Sequence, residues 1–150
     1  MANKFFPVSI DLNNKNVLVI GAGNIAYRKI ETLLKYNCNI KVITKDISEK
    51  NILSLYEKKK IELINSKAFE EKDLENVFLV VAATDNEEIN KNISDLCIKK
   101  NILVNNITSK NDMNLRFMSI CEKDDIQIAV SANGNPKKAV EMKNKIKELI

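Results

Sequence analysis

The chain has no histidine and no tryptophan among its 150 residues, and it has only 3 Gly, 2 Pro and 3 Cys. The lack of histidine excludes a Ser-His-Asp triad, a Cys-His nucleophile pair and the most common protein metal ligand. We therefore expect no metal site, and we expect any catalysis to depend on carboxylates, hydroxyls, lysines or a cofactor. Because Cys38, Cys97 and Cys121 are widely spaced and odd in number, neither a disulfide framework nor a zinc knuckle is expected.

Long apolar runs are also missing. No stretch reaches the roughly 20 apolar residues of a membrane span, and the N-terminus has no apolar signal-peptide core. We therefore predict a cytoplasmic protein with no membrane partner.

Aromatic residues make up only 5% of the chain, and its +4 net charge comes from basic residues mixed with acidic ones. This composition does not indicate a nucleic-acid partner; it indicates solvated helix faces or a mild attraction for an anionic ligand.

Strand and helix patterns alternate along the chain. Runs of β-forming residues predict strands at 8–12, 16–20, 40–44, 61–65, 77–84, 102–106 and 126–132. Apolar periodicity predicts helices over 24–36 and 48–59, a third opened by Asp85 as N-cap with Glu88 in a capping box, and a last one starting at Pro136. Repeated β-α-β units predict an α/β fold, a Rossmann-type, mostly parallel sheet with helices on both faces.

Apolar residues at helical spacing also predict which side of each helix is buried. In chain order these residues are Ile25, Ala26, Ile30, Leu33 and Leu34; Ile52, Leu53 and Tyr56; Ile89, Ile93, Leu96 and Cys97; and Ala139, Val140, Ile146 and Leu149. The cysteine in the third group is thus predicted to be a core residue.

Two of the three glycines stand in the stretch GAGNIA, which follows a predicted strand and opens a helix. The stretch fits the dinucleotide-binding pattern G-x-G-x-x-A in its proper context. Gly21 would allow the tight turn, Gly23 would let the main chain touch a pyrophosphate, and Ala26 would let the helix pack closely on the sheet. The N–H groups at the helix start, including those of Asn24 and Ile25, would bind the phosphates. A tight turn without a ligand is the alternative.

The residues that follow the second strand of this unit are candidates for reading the ribose. They are Thr44, Lys45 and Asp46. Asp46 would accept a hydrogen bond from a 2′-hydroxyl and favours NAD, whereas Lys45 would pair with a 2′-phosphate and favours NADP. We favour NAD as the cofactor, and NADP stays open.

Two further stretches stand at the carboxyl ends of predicted strands. In AATDNEEIN, the small Ala82 and Ala83 would let a cofactor lie close, with Thr84 or Asp85 in contact with it. In SANGNPKKA, Gly134 would allow a second close approach, by a substrate, although a plain turn into a helix explains it equally well.

Together these segments resemble the precorrin-2 dehydrogenase family, which includes the N-terminal domain of siroheme synthases. FFPVSIDL before NVLVIGAGNIAYRK is similar to the family's opening strand, turn and glycine motif, with Arg28 and Lys29 matching its Arg-Lys pair. VVAATDNEEIN, ILVNN and SANGNP also fall where the family has similar segments, so the resemblance covers nearly the whole chain. It implies a Rossmann-type domain that oxidises precorrin-2 to sirohydrochlorin with NAD⁺, in siroheme or cobalamin biosynthesis.

The resemblance also implies site residues. It assigns the glycine turn, including Gly21, Gly23, Asn24 and Ile25, to the pyrophosphate, and the residues after the second strand to the adenosine side. The implied substrate is an anionic tetrapyrrole, for which we take Asn105, Ser131 and Gly134 as candidate binding residues.

The family carries a favoured catalytic aspartate shortly after the strand that ILVNN represents, and this chain has Thr108 there. A threonine cannot act as a carboxylate base, and Asp112 lies four residues further on. Thr108 and Asp112 are therefore the catalytic candidates. The loss of a general base typically costs about 10²–10⁴-fold in rate, so this departure predicts weakened rather than abolished activity.

Family members usually continue into a helical domain that helps to dimerise and to cover the substrate, and these 150 residues do not include it. We expect one NAD(P)-binding domain over 1–150, with a nucleotide-binding core over about 1–110 and a substrate and dimerisation segment over about 111–150. The resemblance implies a homodimer, and we do not expect ferrochelatase activity. Two alternatives stay open, a nucleotide-sensing Rossmann module of the potassium-transport type and a degenerate relative that binds a tetrapyrrole or NAD without turnover.

Overall fold

The alternating patterns fold into helices and strands in nearly the predicted order, in a computed structural model that describes residues 3–150. The elements are β1 (Asn16–Ile20), α1 (Asn24–Leu33), β2 (Asn39–Ile43), α2 (Lys50–Glu57), β3 (Glu62–Ile64), a 3₁₀ turn (Glu71–Leu74), β4 (Leu79–Ala82), α3 (Glu87–Lys99), β5 (Leu103–Asn106), β6 (Ser119–Lys123), β7 (Ile126–Val130) and α4 (Pro136–Leu149). The chain divides into two compact units, the first ending at Leu115 and the second being Arg116–Ile150.

The first unit is built on a five-stranded sheet with the order β3-β2-β1-β4-β5. Its strand pairs are all parallel, and Val17 of β1 lies opposite both Ile40 of β2 and Leu79 of β4. The chain runs outward from β1 to β3 and then returns to the other side of β1. Because such crossovers are right-handed, α1 and α2 lie on one face of the sheet and α3 on the other. The predicted Rossmann-type parallel sheet with helices on both faces is thus confirmed.

The core of this unit consists of two layers on either side of β1. Successive strand residues point to opposite faces, so Leu18 and Ile20 pack in one cluster with Ile93 and Cys97 of α3. On α1, the buried residues are Ala26, Ile30 and Leu33. A strand covered on both faces must be apolar at every position, which explains the unbroken run VLVI in β1.

Residues 8–12, predicted as a strand, belong to no helix or strand. Val8 is 52% exposed and Ile10 is 41% exposed. The β-forming tendency of this segment depends on a neighbouring strand and a surface to cover, and neither is supplied. The other predicted elements of the first unit are present. The strand β1 has its predicted bounds and β2 is shifted by one residue, whereas α1, α2 and the remaining strands are shorter than predicted.

The N-cap of α3 is Asn86, one residue after the predicted cap. Its side-chain oxygen accepts a hydrogen bond from the main-chain N–H of Ile89 at 3.1 Å. The prediction that Asp85 caps this helix, with Glu88 completing a capping box, is therefore wrong. An asparagine one position later reaches the same free N–H groups equally well, which leaves Asp85 outside the helix.

The second unit is a hairpin of β6 and β7 followed by α4. The two strands are antiparallel, with Cys121 opposite Ile128 and a two-residue turn that has a positive φ of 55° at Asp124. The strand predicted over 126–132 is present as β7, but it pairs with β6, which was not predicted, and does not belong to the five-stranded parallel sheet. The helix begins at Pro136 as predicted, and Asn135 caps it by accepting from the N–H of Lys138.

The predicted buried faces of the helices are too wide. In α4, Ala139 is buried, but Val140 is 42% exposed and Leu149 is 85% exposed. Ile25, Leu53 and Tyr56 are also exposed, at 47%, 42% and 44%. Each helix packs against its neighbours along a narrow line, so apolar residues at the border of the stripe remain in solvent. Within residues 3–150, no helix has the length and apolar character needed to cross a membrane.

Candidate functional site

A cleft of about 850 Å³ opens at the carboxyl ends of the parallel strands of the first unit. Its size is that of a typical small-molecule site. Almost all the residues that the sequence predicted for the cofactor line the cleft, namely Gly21, Gly23, Asn24, Ile25, Ala26, Thr44, Lys45, Asp46, Ala83, Thr84 and Asp85. Ala82, also predicted to lie close to the cofactor, is fully buried and does not line the cleft. Lining residues that were not predicted include Ser48, Lys67, Phe69 and Ile107. In a sheet of this type, ligands bind at this edge where the strand order reverses, here beside β1 and β4.

The first glycine of the turn is required by the fold itself. Gly21 has a φ of +111°, and a Cβ added to it would lie 2.2 Å from the main-chain oxygen of Ala83. Its N–H donates to the carbonyl of Ile43 at 2.9 Å. Gly21 therefore closes the junction where β1, β2 and β4 end, and no other residue fits there.

The second glycine is not required by the fold. Gly23 has a φ of −95°, which any residue adopts, and an added Cβ would meet Ser48 Oγ at 3.5 Å, an ordinary contact. Gly23 is also the N-cap of α1, with no side-chain hydrogen bond to the first turn and no acidic residue in that turn. All of α1 lies within the described residues. The N–H groups of its first turn thus receive no hydrogen bond from a capping side chain. A bare main chain at the positive end of a helix is suited to an anion such as a pyrophosphate.

The β2 side of the cleft contains one lysine that is held by carboxylates. Lys67 Nζ lies 2.7 Å from Asp73 Oδ2 and 3.4 Å from Glu70 Oε1. The hydrogen bond to Asp73 raises the pKa of Lys67 above its ordinary value, so this side chain is cationic with its charge already balanced. Nearby, the buried Thr44 donates its hydroxyl to the carbonyl of Asp46 and so fixes the short loop after β2.

The β4 side of the cleft is held by a buried asparagine that the sequence analysis missed. Asn90 of α3 is 0% exposed. Its Oδ1 accepts from the N–H and the hydroxyl of Thr84, at 3.0 and 2.6 Å, and its Nδ2 donates to the carbonyl of Thr84 at 3.0 Å and to Thr108 Oγ1 at 3.1 Å. The available signal was a polar residue one helical turn before Ile93 and two before Cys97, inside an apolar stripe.

Neither of the two catalytic candidates is among the residues that line the cleft. Thr108 follows Ile107, which does line it, and the hydroxyl of Thr108 donates to Asn106 Oδ1 at 2.9 Å. Asp112 is half-buried, and its main-chain N–H donates to Ser109 Oγ at 2.9 Å.

The candidate substrate residues have different environments. Asn105 is 5% exposed, and its Nδ2 donates to the carbonyl of Leu115 at 3.1 Å. Its side chain therefore presents almost no surface to a ligand in this structure. Ser131 and Gly134 belong to the second unit. Gly134 has a φ of +82°, and an added Cβ would lie 3.1 Å from Arg116 Nη2, so the turn itself calls for glycine there.

The parallel sheet, the glycine turn and the cleft define a Rossmann-type dinucleotide-binding protein. Residues 8–119 match the model of the family described as "Putative NAD(P)-binding". The chain belongs to this NAD(P)-binding family.

Relatives and a solved structure agree with this assignment. The chain is 38% identical over 130 residues to the siroheme synthase of Mannheimia succiniciproducens, covering 87% of this chain and 27% of that protein. It is 34% identical over 148 residues to the siroheme synthase of Pseudoalteromonas translucida, covering 98% of this chain and 31% of that protein. The chain thus spans about a third or less of the relatives' length. The structure of SirC, a precorrin-2 dehydrogenase, superposes with a TM-score of 0.83 at 29% identity, covering 97% of this chain and 71% of SirC. The resemblance drawn from the sequence segments is confirmed.

Proposed function

We propose that this chain is an NAD-dependent dehydrogenase that oxidises precorrin-2 to sirohydrochlorin in tetrapyrrole biosynthesis. Similarity to siroheme synthases and to the precorrin-2 dehydrogenase SirC supports the proposal. The observation that carries it is Gly23, a glycine that the fold does not need, at the start of a helix without a side-chain cap. The missing side chain is explained by a ligand that comes close to the main chain.

The residues present fit a dinucleotide. The main-chain N–H groups of Gly23, Asn24 and Ile25 would hold its pyrophosphate, and the small Ala83 would leave room for it at the end of β4. When bound, the nicotinamide supplies the acceptor for a hydride. The chain's own residues bind and orient the two reactants, and the oxidation releases two electrons with one proton as hydride and a second proton to a base or to solvent.

NAD is the cofactor that the charges favour. Asp46 lines the cleft on the β2 side, where its carboxylate would accept from a ribose 2′-hydroxyl and repel a 2′-phosphate. Lys67 also lies on this side, but its positive charge is already balanced by the carboxylates of Asp73 and Glu70. Lys45 is the cation that argues for NADP. Calorimetric titration should therefore give at least about tenfold tighter binding of NAD⁺ than of NADP⁺. The Asp46→Asn variant should have a smaller ratio of the dissociation constant for NADP⁺ to that for NAD⁺. Equal affinities in the wild-type chain would contradict this choice.

Thr108 and Asp112 remain our proposed catalytic positions. Thr108 is next to Ile107 at the cleft, and Asp112 carries the carboxylate nearest to it in sequence. In this proposal Thr108 orients the substrate, and Asp112 accepts the released proton less effectively than a carboxylate at position 108 would. The substrate contacts at Asn105, Ser131 and Gly134 also remain proposals, together with a nucleotide-binding core over about 1–110 and a substrate and dimerisation segment over about 111–150.

The deciding experiment is an anaerobic assay with freshly made precorrin-2 and NAD⁺, following NADH and sirohydrochlorin together. Equal amounts of the two products would establish the dehydrogenase. A folded Gly23→Asp variant is the matched control, and it should neither bind NAD⁺ nor turn over, because its carboxylate would face the pyrophosphate. NAD⁺ binding without turnover in the wild-type chain would favour a sensing module or a non-catalytic binder.

We further propose that the chain forms a homodimer in the cytoplasm, as the resemblance implies. Sedimentation velocity would measure the mass in solution, and a species of twice the 17.0 kDa chain is expected. A monomer that remains active would show that dimerisation is not needed by these 150 residues.

A further inference from the structure

We infer that Asn90 is a positioning residue, which fixes the floor of the cleft under the nicotinamide half of the dinucleotide. The inference rests on the proposed function, because it concerns the same cleft. Asn90 does not line the cleft itself and would act through Thr84 and Thr108.

The side chain of Asn90 uses its full hydrogen-bonding capacity. An amide offers one oxygen with two acceptor sites and two N–H donors. Both acceptor sites bind Thr84, and the donors bind the Thr84 carbonyl and Thr108 Oγ1. The N–H, the carbonyl and the hydroxyl of Thr84 are thus all held by one side chain. A fully satisfied buried network of this kind is rigid.

The network connects three elements that meet at the cleft. Thr84 follows β4 and lines the cleft, and Thr108 follows β5 and adjoins the lining residue Ile107. Thr108 in turn donates to the Oδ1 atom of Asn106, which is the last residue of β5. Asn90, one turn into α3, therefore sets the distance between the ends of β4 and β5.

The strand order places this network under one half of the ligand. A dinucleotide lies across the switch point of the sheet, with its adenosine ribose read by the residues after β2. Its other half must then extend over the ends of β4 and β5. Asn90 is thus expected to matter for the nicotinamide half and not for the adenosine half.

The same helix offers a matched control. Ser94 lies one turn after Asn90 and is also 0% exposed, but its Oγ is buried with no hydrogen-bond partner among the described residues. A buried polar group alone therefore does not mark a role in the cleft. What distinguishes Asn90 is that its partners belong to the cleft.

The test compares NAD⁺ with ADP, which contains the adenosine and the two phosphates but not the nicotinamide riboside, by calorimetric titration of Asn90→Ala and Ser94→Ala. Asn90→Ala should weaken NAD⁺ binding by about tenfold or more and change ADP binding by less than about twofold. Ser94→Ala should change neither. Loss of both ligands in equal measure, or of neither, in folded Asn90→Ala would mean that Asn90 only stabilises the fold and would overturn the inference.

Thr108→Val supplies a second variant if Asn90→Ala does not fold. It removes one partner of Asn90 at an exposed position, and it should weaken NAD⁺ binding by about threefold without changing ADP binding. NAD⁺ affinity equal to that of the wild-type chain would count against the inference. A wild-type chain that binds no NAD⁺ would instead overturn the proposed function, so the two failures are distinct.

Discussion

Gly21 and Ala83 meet so closely that the position of a Cβ on Gly21 is occupied by the main-chain oxygen of Ala83, 2.2 Å away. This contact joins the end of β1 to the end of β4, the two strands at which the sheet order reverses. Gly23, two residues later, has no such contact, since its added Cβ meets only Ser48 Oγ at 3.5 Å. The two glycines of the motif are therefore present for different physical reasons. The fold has no room for a side chain at Gly21, whereas it would accept one at Gly23.

Substitution of each glycine by alanine should separate these reasons. Gly21→Ala forces a β-carbon into a main-chain oxygen at a positive φ, and it should lower the free energy of unfolding by about 3 kcal/mol or more. Gly23→Ala should change it by less than about 1 kcal/mol and yet weaken NAD⁺ binding. Urea unfolding and calorimetric titration measure the two effects. Equal loss of stability in both variants would contradict the distinction.

Much of the fold could be predicted because its signals are local. The glycine motif after VLVI and the buried run before Thr84 each combine a strand with its helix within a few residues. The same locality identified the cofactor candidates, since the carboxyl ends of parallel strands meet at one edge.

The features that were predicted wrongly or not predicted depend on contacts between residues that are distant in sequence. The segment 8–12 has a strand-like pattern but no neighbouring strand, and the hairpin of β6 and β7 turns at Asp124 without the usual Asn-Gly or Asp-Gly signal. Asn90 has partners 6 and 18 residues away, so its helical stripe showed a polar residue without showing why.

The pair Lys67–Asp73 should make stability depend on pH. Burial acts to raise the pKa of Asp73, but the hydrogen bonds from Lys67 and from the N–H of Glu70 outweigh it and hold the pKa below its ordinary value. A lowered folded pKa stabilises the protein above the unfolded pKa of about 3.8, and this stabilisation is lost as the pH falls through the folded value.

Asp73→Asn should therefore lower the free energy of unfolding at pH 7, and the difference from the wild-type chain should shrink below about pH 4. Urea unfolding from pH 7 to pH 2.5 would measure this. Glu62→Gln is the control, because its pair with Lys41 is 3.8 Å long and its side chain is 77% exposed, so little change is expected. A difference for Asp73→Asn that stays constant down to pH 2.5 would contradict the assignment.

The cysteines should differ in reactivity. Burial raises the pKa of the Cys97 thiol to about 12, and burial also raises the pKa of the half-buried Cys38. Because only the thiolate attacks a disulfide reagent, Cys97 should react at pH 8 only after unfolding, whereas Cys38 should react slowly in the native protein. Mass spectrometry after timed labelling would show the order, and Cys38→Ser should remove the native reaction. Native labelling of Cys97 before Cys38 would contradict the predicted order.

Thr108→Asp would restore the carboxylate that the resemblance implies at this position. Thr108 Oγ1 accepts from Asn90 Nδ2 at 3.1 Å and donates to Asn106 Oδ1 at 2.9 Å. An aspartate keeps the first bond but cannot donate the second. Asn106 Oδ1 also accepts from the main-chain N–H of Thr108 at 3.0 Å, which holds the amide in its present orientation, so this oxygen would face the new carboxylate without a donor between them. The stability cost should thus be about 1–3 kcal/mol.

The expected gain is in turnover. A carboxylate base typically contributes about 10²–10⁴-fold, so even partial recovery should raise the anaerobic oxidation rate of precorrin-2 by about tenfold or more. Thr108→Asn introduces a side chain of the same size as aspartate but without the carboxylate, so it should bring no gain in turnover. If folded Thr108→Asp binds NAD⁺ normally and is no faster than the wild-type chain, a missing carboxylate does not limit this site. Asp112→Asn should then be slower than the wild-type chain, because Asp112 would already accept the proton.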